Sequence, residues 1–164
     1  MHFSLFRVDD RLIHGQVVEG WARPLSVTTI IVANDRIAND ASQKLIFEFA
    51  VPPEIKTIFS TIDNMTNELP LIENESSRTI ILFSTIDDVY KLVDNGFKLD
   101  KLNLGGMRSV ENKMKLSQTV FVSTTEIKIL NMLLKKGIDI NIQSVPGEKQ
   151  KNLKELFSKK HLLE

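Results

Sequence analysis

The chain contains no cysteine, which excludes a disulfide framework, a thiolate metal site and a cysteine nucleophile. It has no charge bias either: 21 Lys plus Arg face 21 Asp plus Glu, for a formal net charge of zero. Without a net field, nucleic acid and anionic membrane surfaces are poor partners. Aromatic residues are only 7% of the 164. No apolar run approaches the roughly 20 residues needed to cross a bilayer, and the opening MHFSLFRVDD lacks the basic-then-apolar order of a secretion signal. The expectation is a water-soluble, cytoplasmic chain with no nucleic-acid partner. His2, His14 and His161 are too dispersed to suggest a structural zinc site, so no metal is expected. Gly105-Gly106 lacks the third glycine of a dinucleotide fingerprint and no P-loop occurs, so no nucleotide cofactor is expected.

What is present is the composition of an ordinary folded domain, 42% hydrophobic and 26% charged, and residues 1–164 read as a single domain. Short apolar runs at 3–8, 29–33, 55–59, 79–83, 102–104, 119–122 and 138–142 alternate with stretches of helical spacing. That order predicts an α/β fold: a predominantly parallel sheet of about seven strands with helices on both faces. The runs Ile30 to Ala33 and Ile80 to Phe83 are continuous, as in strands covered on both sides. Val17, Val18, Trp21 and Leu25 share one helical face, and Leu45, Ile46, Phe49 and Ala50 share another; each is expected to cover the sheet. Ser123 and Glu126 have capping-box spacing ahead of Ile127, Leu130 and Leu134, and Gly137 supplies a stop. Ile86, Val89 and Val93 repeat the pattern before Gly96, and Leu153, Leu156 and Phe157 predict a last helix. The stretch 105–118 reads as a long functional loop or an irregular connection.

In open α/β sheets ligands gather at the carboxyl ends of strands. The first such end carries Arg7, Asp9, Asp10, Arg11 and His14 beside a helix start. A neutral imidazole is a phosphoryl nucleophile; the two arginines favour the neutral ring and attract phosphoryl oxygens. Asp9 or Asp10 could fix the tautomer, and the residues leave that choice open. The N–H groups of Gly15 and Gln16 would hold phosphate. Asn34, Asp35, Ser84, Gly105 and Gly106 end other strands and could share the rim, although turn or cap chemistry explains each equally simply.

The segment RVDDRLIHGQVVEGW resembles the active-site loop of the enzyme IIB components of the mannose family of the bacterial sugar phosphotransferase system, with its mannose, fructose, sorbose and amino-sugar branches. IIVANDRIAND, AVPPEIK, LNLGGMR, VFVSTTE and QSVP resemble later landmarks of the family in the same order; between Ser60 and Arg78 there is none. The resemblance implies that His14 carries the phosphoryl group through Nδ1. It also implies that Arg7 and Arg11 belong to the active-site loop, that enzyme IIA is the donor, and that a sugar entering through the membrane enzymes IIC and IID is the acceptor. Peripheral membrane association would then run through IIC and IID. Other IIB families use phosphocysteine, which this chain cannot form. A receiver-like signalling domain or a non-catalytic regulatory module is the alternative, but a receiver needs an aspartate after strand three and a lysine after strand five, where Ser60-Thr61 and Gly105-Gly106 stand. The sugar stays open, and so does a homo-oligomeric state.

Overall fold

The structure, a computed structural model, describes residues 3–72 and 77–164. In chain order the strands are β1 (Phe3–Asp9), β2 (Thr29–Ala33), β3 (Lys56–Ser60), β4 (Thr79–Phe83), β5 (Lys101–Gly106), β6 (Met114–Lys115), β7 (Phe121–Val122), β8 (Asp139–Ile142) and β9 (Lys151–Asn152). The helices are α1 (Gly15–Val17), which runs on into a π-helical turn over Val18–Ala22, α2 (Asp35–Ala38), α3 (Ala41–Phe49), α4 (Ile62–Ile72), α5 (Ile86–Asp94), α6 (Thr124–Lys135) and α7 (Leu153–Lys159).

Seven strands form one sheet in the order β3-β2-β4-β1-β5-β8-β9. All neighbours pair in parallel except β8 and β9. β2 and β4 are buried along their whole length, the outcome that continuous apolar runs require when both faces are covered. The strand count matches the expectation, but its membership differs. The run 119–122 leaves the main sheet for a two-stranded hairpin of β6 and β7, and the seventh strand is the antiparallel β9.

Val17, Val18 and Trp21 pack with Ile30, Val32, Ile80 and Leu82 on one face of the sheet. Buried side chains of α4, α5, α6 and α7 pack with Val8, Ile31, Ile81 and Leu104 on the other. The chain therefore leaves β1 over one face and leaves its neighbours β4 and β5 over the other. The carboxyl end of β1 is the switch point where such folds open a crevice.

The α6 capping box is formed as read: Ser123 Oγ accepts from Glu126 N–H and Glu126 Oε2 accepts from Ser123 N–H. The expectation for α3 is corrected. Leu45, Ile46 and Phe49 are 53%, 59% and 83% exposed, so that face does not cover the sheet. The helix lies beside the edge strand β3, and only its Phe47 turns inward, against Phe59 at 6.4 Å between ring centroids. Phe49→Ser is accordingly expected to change stability by less than about 0.5 kcal/mol, read by urea unfolding.

Candidate active site

Side chains on a strand alternate between faces, so Leu5, Arg7 and Asp9 share one side of β1. On β5 the same face carries Asn103 opposite Arg7, and Gly106 opposite Asp9. A register shift between Val8 and Asp9 accommodates Gly105 as the extra residue. Arg7 is fully buried. Its Nη2 donates to Asp9 Oδ2 at 2.9 Å and its Nη1 to Asn103 Oδ1 at 2.6 Å and to the Gln143 carbonyl at 3.1 Å. The guanidinium also lies 5.4 Å from the Trp21 ring centroid. Two glycines make the room. A Cβ on Gly105 would fall inside the guanidinium, and one on Gly106 would come within 3.0 Å of Asp9 Oδ1.

Beyond β1 the chain turns back on itself. Asp9 accepts from Leu12 N–H through its carbonyl at 2.9 Å and from Arg11 N–H through Oδ1 at 3.2 Å. Leu12 adopts a φ of 56°, a left-handed conformation that costs a branched residue about 1–2 kcal/mol. Its buried side chain anchors the turn. His14 then caps the helix with its backbone carbonyl, which accepts from Val17 and Val18 N–H, and its ring is left free to turn to Asp9. Nε2 lies 2.9 Å from Asp9 Oδ2, and the side chain is 15% exposed.

The electrostatics fix the proton. Burial alone would raise the Asp9 carboxyl, but the hydrogen bond with His14 and the Arg7 charge outweigh it and hold Asp9 below the usual carboxylate range. An ionised carboxylate only accepts, so Nε2 carries the hydrogen and the lone pair sits on Nδ1. Nδ1 has no partner among the described residues. The folded state binds fewer protons at Asp9 than the unfolded chain does. Its stabilisation is therefore complete above the ordinary carboxylate range and is lost as pH falls through the lowered value. Urea unfolding at successively more acid pH is expected to show that loss in the native chain and not in Asp9→Asn.

The remaining residues read from the sequence fall into two groups. Arg11, with a 52% exposed side chain, stays at the site: Nη2 donates to Gln16 Oε1 at 2.9 Å and Nε is 3.8 Å from Asp9 Oδ1. With Gln16, Arg108, Gln118 and Thr119 it lines an open cavity of about 590 Å³. Gly15 and Gln16 begin the helix, where the first N–H groups have no intrahelical partner. Asp10 turns away from His14. Its Oδ2 accepts from Arg108 N–H at 2.9 Å and from Arg108 Nε at 2.7 Å, which ties the His14 loop to the segment after β5. Asn34, Asp35 and Ser84 form a separate cluster: Asn34 caps α2 and donates to Ser84 Oγ, Ser84 donates to Asp88, and Asp35 Oδ1 accepts from Ile62 N–H. Among the described residues no hydrogen bond joins that cluster to His14. Gln143 and Asn141, which complete the support of Arg7 through Asn103, were not read from the sequence as site residues.

A doubly wound α/β domain that holds a histidine against a buried ion pair at the carboxyl end of its sheet has the anatomy of a group-transfer domain. Residues 3–164 match the family model described as PTS system sorbose subfamily IIB component, and the chain belongs to that family. It is 30% identical over 159 residues to the mannose-specific EIIAB component of Escherichia coli (strain K12), a match covering 97% of this chain and 49% of that protein. The chain thus spans about half the length of the mannose-specific relatives it matches. Against the fructose-specific EIIB component of Bacillus subtilis (strain 168) it is 28% identical over 148 residues, 90% of this chain and 91% of that one. The crystal structure of manxB from Thermoanaerobacter tengcongensis superimposes with a TM-score of 0.85 at 30% identity, covering 96% of this chain and 95% of that one. Among the described residues no helix is long and apolar enough to cross a membrane.

Proposed function

We propose that His14 accepts a phosphoryl group from a phosphohistidine on enzyme IIA and passes it to a sugar of the mannose, fructose and sorbose class during uptake through IIC and IID. The observation that carries this reading is the Nε2 to Asp9 contact, which leaves the Nδ1 lone pair of the neutral ring without a partner among the described residues. In the first transfer the Nδ1–P bond forms as the donor's N–P bond breaks, and the ring becomes a phosphoimidazolium whose Nε2–H still faces the ionised Asp9. In the second, a sugar oxygen forms the new P–O bond, Nδ1 leaves with its electron pair, and the hydroxyl gives up its proton. Arg11 and the N–H groups of Gly15 and Gln16 hold the equatorial oxygens in this reading, which the Arg11 contacts to Gln16 and Asp9 beside His14 support. Arg7 acts through Asp9 rather than on the phosphoryl group, because it has no exposed surface.

One imidazole must face donor and acceptor in turn, so IIA and the IIC/IID complex compete for this edge, and membrane association runs through IIC and IID. The family match does not favour the receiver-like and regulatory alternatives. The test is ³¹P NMR and peptide mapping of the chain after incubation with phosphorylated IIA, followed by transfer to a panel of hexoses in IIC/IID membranes. Phosphate on Nδ1 of His14 supports the reading, and label on a carboxylate overturns it. Arg11→Ala is expected to unfold at the native urea midpoint yet to transfer about 10²-fold more slowly, the size of effect of one lost transition-state donor. Stopped-flow transfer from IIA measures it.

A further inference from the structure

On the sheet face that carries Arg7, no helix among the described residues packs beyond β1. The helix after β1 packs toward β2 and β4, whereas on β5 and β8 the same face presents Lys101, Asn103, Asn141 and Gln143. A groove of about 690 Å³ runs along it, walled by Leu5 and Trp21. Lys98, Asp100 and Lys101 line the end where β5 begins, and Gln143 and Gln150 line the end where β8 finishes. At about 3.3 Å per residue those ends are roughly 13 Å apart.

We propose that this groove binds a hexose phosphate, the product class of the reaction proposed above. The choice of ligand rests on that reading, while the site itself rests on its chemistry. Asn103 is spent on Arg7, Asn141 and the Gln143 carbonyl, and the Gln143 amide hydrogens go to the Pro146 and Glu148 carbonyls. That leaves the Asn141 amide to donate and Gln143 Oε1 to accept, neither with a partner among the described residues, and this pair set against an indole wall suits sugar hydroxyls. Among the residues lining the other end two lysines outnumber the single Asp100, while Asp139 beside Lys101 accepts from Asn152; the lysines suit a phosphate ester. The floor is also the support of the reaction centre, since Asn103 and Gln143 both accept from Arg7. Occupancy is therefore transmitted through Arg7 and Asp9 to the His14 ring.

The test is NMR of the ¹⁵N-labelled, unphosphorylated chain titrated separately with mannose 6-phosphate, fructose 1-phosphate, mannose and inorganic phosphate. Expected are shifts of the Trp21 indole and the Asn103, Asn141 and Gln143 amides, half-saturating near 1 mM for a sugar phosphate, with smaller shifts for mannose. The His14 ring signals move in step. Asn141→Leu and the exposed Lys101→Gln each weaken the sugar phosphate tenfold or more. Silence of these signals at about 20 mM of either sugar phosphate overturns the proposal. So does full reproduction of the shifts by inorganic phosphate, or their survival in both variants. Groove shifts without any His14 response overturn the transmission. Failure of IIA to label His14 while the groove still titrates overturns the reading of function and leaves the groove standing.

Discussion

In His14→Ala, phosphoryl label from IIA is expected to be absent and sugar phosphorylation to fall by more than about 10⁴-fold, the scale of losing a nucleophile from its constellation. The fold should survive. His14 caps the helix through its backbone carbonyl, which alanine keeps, and among the described residues its side chain makes a single hydrogen bond, to Asp9. Removing the ring exposes one oxygen of a carboxylate that Arg7 still neutralises, so the urea midpoint should move only slightly. The other described histidine, His161, follows α7 near the C-terminus and offers no substitute at this edge. Undiminished labelling in the variant would remove His14 from the mechanism.

Gly105→Ala is expected to cost about 3 kcal/mol or more in urea unfolding, although it adds one methyl group. The new Cβ would occupy the Arg7 guanidinium, and nothing in the interior lets that group step aside without leaving Asp9 and Asn103. A displaced Arg7 leaves Asp9 buried and unpaired, which is where the energy is lost. Gly106→Ala should cost only about 1 kcal/mol, since an Asp9 oxygen can yield a few tenths of an ångström. Arg7→Ala should lose about 3–5 kcal/mol by itself, as breaking a buried pair does. Once Arg7 is gone the space is free, so adding Gly105→Ala should cost little more. Additive losses in the double variant would show that the glycine serves something other than the arginine.

The parts of the molecule legible in the sequence are those where one local rule acts alone. β2 and β4 are continuous apolar runs because both faces are covered, and α6 carries its own capping box. The Leu45–Ile46–Phe49 face misled because periodicity reports an amphipathic helix without saying whether a sheet lies beneath it, and α3 lies at the edge. At the site, type and proximity brought together His14, two arginines and two aspartates but not their division of labour. Strand parity makes that division: Arg7 and Asp9 are two residues apart and face the same way, whereas Asp10 lies past the strand and turns to Arg108. The roles of Asn141 and Gln143 depend on the register of β8 against β5, which no local signal in either strand sets.

Trp21 is the only tryptophan in the chain. Its indole N–H is spent on the Ser144 carbonyl at 2.7 Å, and the ring is shielded from bulk water with the Arg7 guanidinium beside it. Fluorescence excited at the red edge of protein absorption thus comes from one fixed position, and its colour and lifetime respond to the placement of the adjacent Arg7 guanidinium. Under the proposed function, phosphoryl arrival and departure at His14, passed on by Asp9, are expected to appear in the untagged native chain as a change in emitted light.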